Sequence, residues 1–476
     1  MIEENRNSIA IYDVDFDSDQ YKRFERNFSV YDTVRHKYAY NVYATIGDSI
    51  RIPASVGSDV VRTYFYDMVV YKKYNVPTSK VINFTVKHKP RDIIQQESLA
   101  FLSSMKNDSD HSRMLNLATG SGKTYVAIAT IALLQKRAMI VVDTIDLAEQ
   151  WKNKFLFHTD IDESEILIIS GKESLKNAEN SDNYKVFIAI HKTLGMLMDE
   201  DINSMNQIVT DLGIGVRVFD ECHVNFHNIC MINALSNVDY TIYLTATPNR
   251  SDYKEDLLYS KVFNKVKSFD GHKSENEKYH KVVLANFNSN PTEVQKLSVK
   301  TKYGFSMMKW ANFLETSALY TEYKKSLFTI IDKFKLVENN KKFAIMLPTI
   351  KLIEKTYDDI VDNYENVSVG KFIGDIRKKE ERQEQLDKSI IITNDKMFGK
   401  AIDVPDLDCL INYLPVRSQV NTEQIMGRLR NSPGHTHVLI DVTDIGFTEC
   451  KISKNIRKKL YKLKAKEIIE INDLLN

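Results

Sequence analysis

The stretch Met114-Leu-Asn-Leu-Ala-Thr-Gly-Ser-Gly-Lys-Thr124 decides how this chain is read. Its first four residues suit a short buried strand, and the apolar run 125–134 that follows suits a buried helix. The glycines between them mark a tight turn. Such a loop aims its backbone N–H groups at an anion, and the helix start adds the positive end of its dipole. Thr119, Gly120, Ser121 and Gly122 are therefore expected to cradle phosphates. Lys123 would neutralise the β- and γ-phosphates of ATP, and Thr124 would hold Mg2+ through its hydroxyl. The general pattern has glycine at position 117, where this chain has leucine.

About a hundred residues on, Val216-Arg-Val-Phe219 delivers Asp220-Glu-Cys-His223 to the end of a second buried strand. An acidic pair there suits metal-assisted phosphoryl transfer, with Asp220 on Mg2+ and Glu221 orienting and deprotonating the attacking water. Cys222, His223, His227 and Cys230 also lie close together, but adjacent Cys and His do not follow the paired spacing of structural zinc sites.

The rest of the chain sets the frame. At 476 residues it predicts two to four domains, and 43% hydrophobic with 27% charged residues is ordinary for a globular protein. A formal net charge of +1 gives no global sign of a nucleic-acid partner, so base must be sought locally. The four cysteines make no disulfide framework. An acidic start without a signal pattern, and no apolar run beyond 125–134, lead to the expectation of a cytoplasmic protein.

Residues 1–87 read as a small separate β-rich accessory domain with α/β character. Base from Arg51 to Arg91 is interleaved there with Tyr64, Phe65, Tyr66, Tyr71, Tyr74 and Phe84, which are either core or a surface for nucleic acid. From 88 to 275, short apolar runs at 114–117, 138–142, 166–169, 185–190, 216–219 and 241–244 alternate with helix-length segments, the pattern of a parallel sheet covered on both faces. A second series at 343–347, 390–392, 409–413 and 438–440 places another such domain at 339–450. Residues 276–338 read as a linker with a helical insertion, and 451–476 as a basic amphipathic helix.

With these residues placed, the chain resembles the superfamily 2 helicases of the DExH type, over about 90–445. The resemblance implies two tandem RecA-like domains. Leu244-Thr-Ala-Thr-Pro248 is similar to the third motif of the family, in which Thr245 and Thr247, with His223, would couple hydrolysis to movement. Arg91-Asp-Ile-Ile-Gln95 resembles the glutamine motif, so Arg91 and a glutamine, Gln95 by the family's shorter spacing or else Gln96, would read the adenine. Asp143-Thr-Ile-Asp-Leu-Ala-Glu-Gln-Trp151, with Asp143 in place of proline, and Ala189-Ile-His-Lys-Thr193 resemble segments that touch the nucleic-acid backbone through Thr144 and Thr193. Thr349 and Asn394 would do the same in the second domain. Ala401-Ile-Asp-Val-Pro405 resembles the fifth motif with Asp403 matching, and Gln424-Ile-Met-Gly-Arg428-Leu-Arg430 resembles the sixth. Either Arg428 or Arg430 would be the arginine finger of a nucleotide held between the domains, with Gln424 beside it.

Within that superfamily the chain is similar to the phage branch-migration helicases and the related poxvirus transcript-release helicase, through its small first domain and Val438-Leu-Ile-Asp-Val-Thr-Asp444. This implies an ATP-dependent translocase on forked or junction DNA, in recombination, repair and replication. An RNA-directed ATPase and a nucleotide-gated scaffold without turnover are the alternatives. Intact Lys123, Glu221 and Arg428 argue against the scaffold.

Overall fold

The computed structural model describes every residue except 33–36, 74–75, 118–119, 180–181, 247–252, 272–279, 302–303, 375–378, 396–403, 405, 430–436 and 476. Thr119, Thr247, Asp403 and Arg430 lie outside the described residues. The chain divides into two compact units, Met1–Lys273 and Ser274–Asn476.

The first unit opens with strands β1 (Ile2–Glu4), β2 (Ser8–Ile11), β3 (Ser29–Asp32), β4 (Lys37–Asn41), β5 (Ala44–Ile46), β6 (Ser49–Pro53) and β7 (Val70–Lys72). Five of them form a sheet in the order β5-β6-β2-β1-β7, and β3 and β4 make a separate two-stranded ribbon. This sheet does not stand apart as the sequence predicted. Its core side chains, Ile9, Phe24 and Ile52 among them, join one apolar cluster with Phe226, Ile229 and Phe263 of the following domain. Asn7 completes the junction: its Nδ2 donates to Thr241 Oγ1 at 2.9 Å and its Oδ1 accepts from Val238 N at 2.7 Å. Phe65 and Phe84 are core, whereas Tyr66 (65% exposed) and Tyr71 (55%) reach solvent.

Seven further strands, β8 (Ser112–Asn116), β9 (Ala138–Val142), β10 (Ile166–Ile169), β11 (Val186–Ile190), β12 (Val216–Phe219), β13 (Tyr240–Thr245) and β14 (Lys267–Asp270), form a sheet in the order β10-β11-β9-β12-β13-β8-β14. Every pairing in it is parallel. The strands are apolar on both faces because both are covered. Val216 and Val218 of β12 face the cluster built around the helix Lys123–Leu134, while Phe219 faces the cluster shared with the N-terminal sheet. β14 was not among the strands read from sequence. The strand-like stretch Val81-Ile-Asn-Phe-Thr-Val86 forms isolated bridges, Val81 to Lys136 and Val86 to Thr159, rather than a strand of the sheet.

The second unit repeats the plan. Strands β15 (His280–Phe287), β18 (Phe343–Met346), β19 (Val369–Phe372), β20 (Ile390–Thr393), β21 (Cys409–Asn412), β22 (His437–Asp444) and β23 (Glu467–Ile471) form a sheet ordered β19-β20-β18-β21-β22-β15-β23, again with every pairing parallel. A small ribbon of β16 (Lys300–Thr301) and β17 (Gly304–Phe305) precedes the helices Met307–Thr316 and Leu319–Lys333.

Two expectations change here. The segment 276–338 is not a linker: β15 is an internal strand of the sheet, and Trp310, Leu314, Tyr323 and Leu327 of the two helices belong to its core. The chain end is not simply a basic helix. Helix Thr448–Lys464 buries Ser453, Arg457, Leu460 and Tyr461, and the chain then adds β23 to the sheet edge. Arg457 is turned inward onto Asp441, with Nε to Oδ2 at 2.8 Å and Nη2 to Oδ1 at 2.7 Å, so this arginine is a structural cation. No helix among the described residues is long and apolar enough to cross a membrane.

Candidate active site

In an open parallel sheet, ligands gather at the carboxyl ends of the strands where the order switches direction. β8 and β9 are consecutive in sequence but separated in the sheet by β12 and β13. Lys123 follows β8, Asp220 follows β12, and Thr245 ends β13 between them.

The phosphate loop is held by its neighbours. Gly120 has φ +83° and Gly122 φ +91°, a region that only glycine enters without strain. At Gly122 space is also short, since a Cβ there would lie 2.2 Å from Gln95 Nε2. Gln95 is buried and spans two loops, its Nε2 donating to Ser121 O at 3.0 Å and its Oε1 accepting from Arg91 N at 2.8 Å. Gln96 is exposed, so of the two glutamines it is Gln95 that meets the phosphate loop. The Arg91 guanidinium pairs with Asp92 at 3.1 Å. Lys123 starts the helix Lys123–Leu134 as a buried residue, its Nζ donating to Leu117 O at 2.9 Å, and Thr124 follows half-buried in the first turn.

The acid pair is arranged unequally. Asp220 Oδ2 accepts from Trp151 Nε1 at 2.8 Å, and its Oδ1 accepts from Glu221 N at 3.0 Å. Burial and then the Glu221 carboxylate push the Asp220 carboxyl up to about 6, while Trp151 and Lys123 oppose the rise. Glu221 has φ +45°, an unusual backbone for a residue with a side chain. Its Oε2 is buried and makes no hydrogen bond among the described residues; His223 Nδ1 lies 3.4 Å away. That same nitrogen is 3.0 Å from Thr245 Oγ1, which links His223 to the end of β13. Trp151 meets Asp220 across 69 positions of chain, a separation that leaves no local sequence signal of its role.

The expected backbone-contacting residues fall into matching places. Thr144 follows β9 and Thr193 lies in the helix after β11, the adjacent strand. In the second unit Thr349 follows β18 and Asn394 follows β20, again adjacent. Thr144 caps the helix Ile145–His158 by accepting from Leu147 N at 3.3 Å. Thr349 caps Ile350–Asn363 in the same way but donates its own proton to the buried Glu315. Gln424 lies in the helix Gln419–Met426, with Arg428 half-buried just past its end.

Residues 87–250 match the family model of the Type III restriction enzyme, res subunit, and residues 325–431 match the helicase conserved C-terminal domain. One match falls in each unit, and together they take in the phosphate loop, the Asp-Glu-Cys-His turn and Arg428. The chain belongs to the superfamily 2 helicases. This helicase is 26% identical over 368 residues to the transcript termination protein A18 of Yaba-like disease virus, covering 74% of this chain and 72% of that one. It is 23% identical over 433 residues to the DNA 3'-5' translocase XPB2 of Sulfurisphaera tokodaii, covering 84% and 91%. Among solved structures, T4 UvsW spans 100% of both chains at 15% identity with a TM-score of 0.36, too low to add to what the two sheets already show. The helicase is thus an ATP-dependent enzyme that binds nucleic acid.

The residues present fit a nucleotide and a divalent cation. A buried lysine stands beside glycines that face a loop, and a carboxylate that resists ionising gains from a cation held against it.

Proposed function

We propose that this helicase is a DNA translocase that remodels forked and four-way-junction DNA. The observation that carries the reading is one sheet: the glycine loop with Lys123, the acid pair, Thr144 and Thr193 all follow the carboxyl ends of strands of the same parallel sheet, Thr193 as a buried residue of the helix after β11. Lys123 draws the β- and γ-phosphates of ATP into the loop. Thr124 and Asp220 would hold Mg2+, which neutralises charge on the transferring phosphoryl group. Glu221 orients water and takes its proton on the oxygen that has no other hydrogen bond among the described residues. Gln95 fixes the loop and, with Arg91, faces the adenine. Arg428, with Gln424 beside it, supplies the guanidinium that stabilises the transition state, and Thr245 relays the change through His223.

Thr144, Thr193, Thr349 and Asn394 hold the phosphate backbone, which positions the strand without reading its sequence. Since Thr349 gives its proton to Glu315, the second unit's grip there falls to the backbone N–H groups of the helix start. DNA is favoured because XPB2, matched over 91% of its length, is named a DNA translocase. The branched substrate is supported by the docked N-terminal region, in which Arg62, Tyr66, Tyr71, Lys72 and Lys73 are all exposed. Recombination, repair and replication are the processes that supply such DNA. A second reading, an RNA-directed or transcript-releasing ATPase, is favoured by the name of the A18 relative and uses the same motor.

ATP turnover measured side by side with single-stranded DNA, duplex, a four-way junction and RNA separates them. Junction DNA is expected to stimulate most. Stimulation by RNA alone contradicts the branched-DNA reading.

A further inference from the structure

Asp143 stands where the helicase pattern has proline, and its carboxylate is engaged. Asp143 Oδ1 accepts from Asn225 Nδ2 at 2.6 Å, across 82 positions of chain. Both side chains are half-buried. Asn225 opens the helix Phe226–Leu235 with φ +52°, yet gives that helix no capping hydrogen bond. Asparagine in this place ordinarily caps; here the side chain is turned to the neighbouring element instead.

The same neighbour makes a second contact. Trp151, on the helix Ile145–His158, donates to Asp220 at 2.8 Å. One helix and its entry residue therefore hold both ends of the turn that carries Glu221, with Asp220 before it and Asn225 after it. The turn itself is tight, Val224 N reaching Glu221 O at 2.7 Å with Glu221 at φ +45°. Thr144 lies between Asp143 and that helix as its N-cap.

We propose that Asp143 and Asn225 are positioning residues that carry occupancy of the nucleic-acid site at Thr144 to the hydrolytic turn, with Trp151 of the same helix as a second point of attachment. A helix moves as a rod, so a shift of its start on binding a phosphate displaces Asn225 through Asp143 and Asp220 through Trp151 together, and re-aims Glu221 between them. The proposal rests on the reading of Thr144 as a phosphate contact.

The test compares Asn225→Ala, Asn225→Asp, Asp143→Asn and the double variant D143N/N225D. Each is assayed for ATP turnover with and without saturating four-way-junction DNA, for affinity by DNA anisotropy, and for melting temperature. Asn225→Ala and Asn225→Asp are expected to keep basal turnover and DNA affinity within about twofold and to lose about tenfold of the stimulation, a size typical of coupling between sites. Asp143→Asn keeps an acceptor opposite Asn225 and is expected to retain stimulation. The double variant restores the bond with donor and acceptor exchanged and is expected to recover it. Unchanged stimulation in Asn225→Ala, an equal fall of basal and stimulated turnover, or no recovery in the double variant overturns the proposal. If junction DNA does not stimulate the unmodified protein, the reading of the motor falls first and this inference with it.

Discussion

At the scale of residues, the site sets one carboxyl against its surroundings. Asp220 resists ionising, because burial first and the Glu221 carboxylate second push its carboxyl up. A bound cation offsets that, and protons compete with the cation below pH 6 because the folded pKa is raised. Apparent affinity for Mg–ATP is therefore expected to weaken by up to about tenfold per pH unit below 6, a slope that Asp220→Asn removes, measured by nucleotide titration. An identical pH profile in the variant contradicts this cause. Gly122→Ala adds both a φ strain and a clash with Gln95. It is expected to weaken ATP binding on the order of tenfold or more, from about 1–3 kcal/mol of strain. Lys123, Asp220 and Glu221 were legible in the sequence because local spacing defines them. The Trp151 bond to Asp220 and the Glu315 bond to Thr349 were not, since folding alone brings those partners together.

At the scale of elements, the N-terminal sheet is bound into the first unit through a shared core and through Asn7. Asn7→Ala leaves two buried partners unsatisfied, which costs about 2–4 kcal/mol. Chemical denaturation of the variant is expected to show a lower midpoint with the first unit still unfolding in one transition; a separate early transition of the N-terminal sheet contradicts the shared core. Truncation before Glu467 removes the strand that covers β15, and is expected to lower the melting temperature and promote association through the bared edge. The inner strands were readable as apolar runs. β23 was not, because Glu467-Ile-Ile-Glu-Ile471 at a sheet edge keeps its glutamates in solvent and follows a lysine-rich helix. β15 was passed over although it is buried along nearly its whole length, because it precedes helices that the sequence pattern reads as an insertion.

At the scale of the whole molecule, two parallel sheets each place a pair of the residues proposed to hold phosphate after adjacent strands, and the acid pair Asp220 and Glu221 belongs to the first. Such a machine holds the nucleic-acid backbone through charge and dipoles. DNA affinity is expected to fall log-linearly with salt and to be nearly equal for unrelated sequences. A strong sequence preference in competition binding contradicts this grip. On the proposed reading, bound nucleic acid governs ATP hydrolysis at Glu221. Steady-state ATP turnover of the unmodified protein and of Glu221→Gln, each with and without four-way-junction DNA, tests it most directly. Strong stimulation is expected in the first and a loss of at least about 100-fold in the second, with ATP still bound. Turnover indifferent to every nucleic acid, or retained in Glu221→Gln, contradicts it.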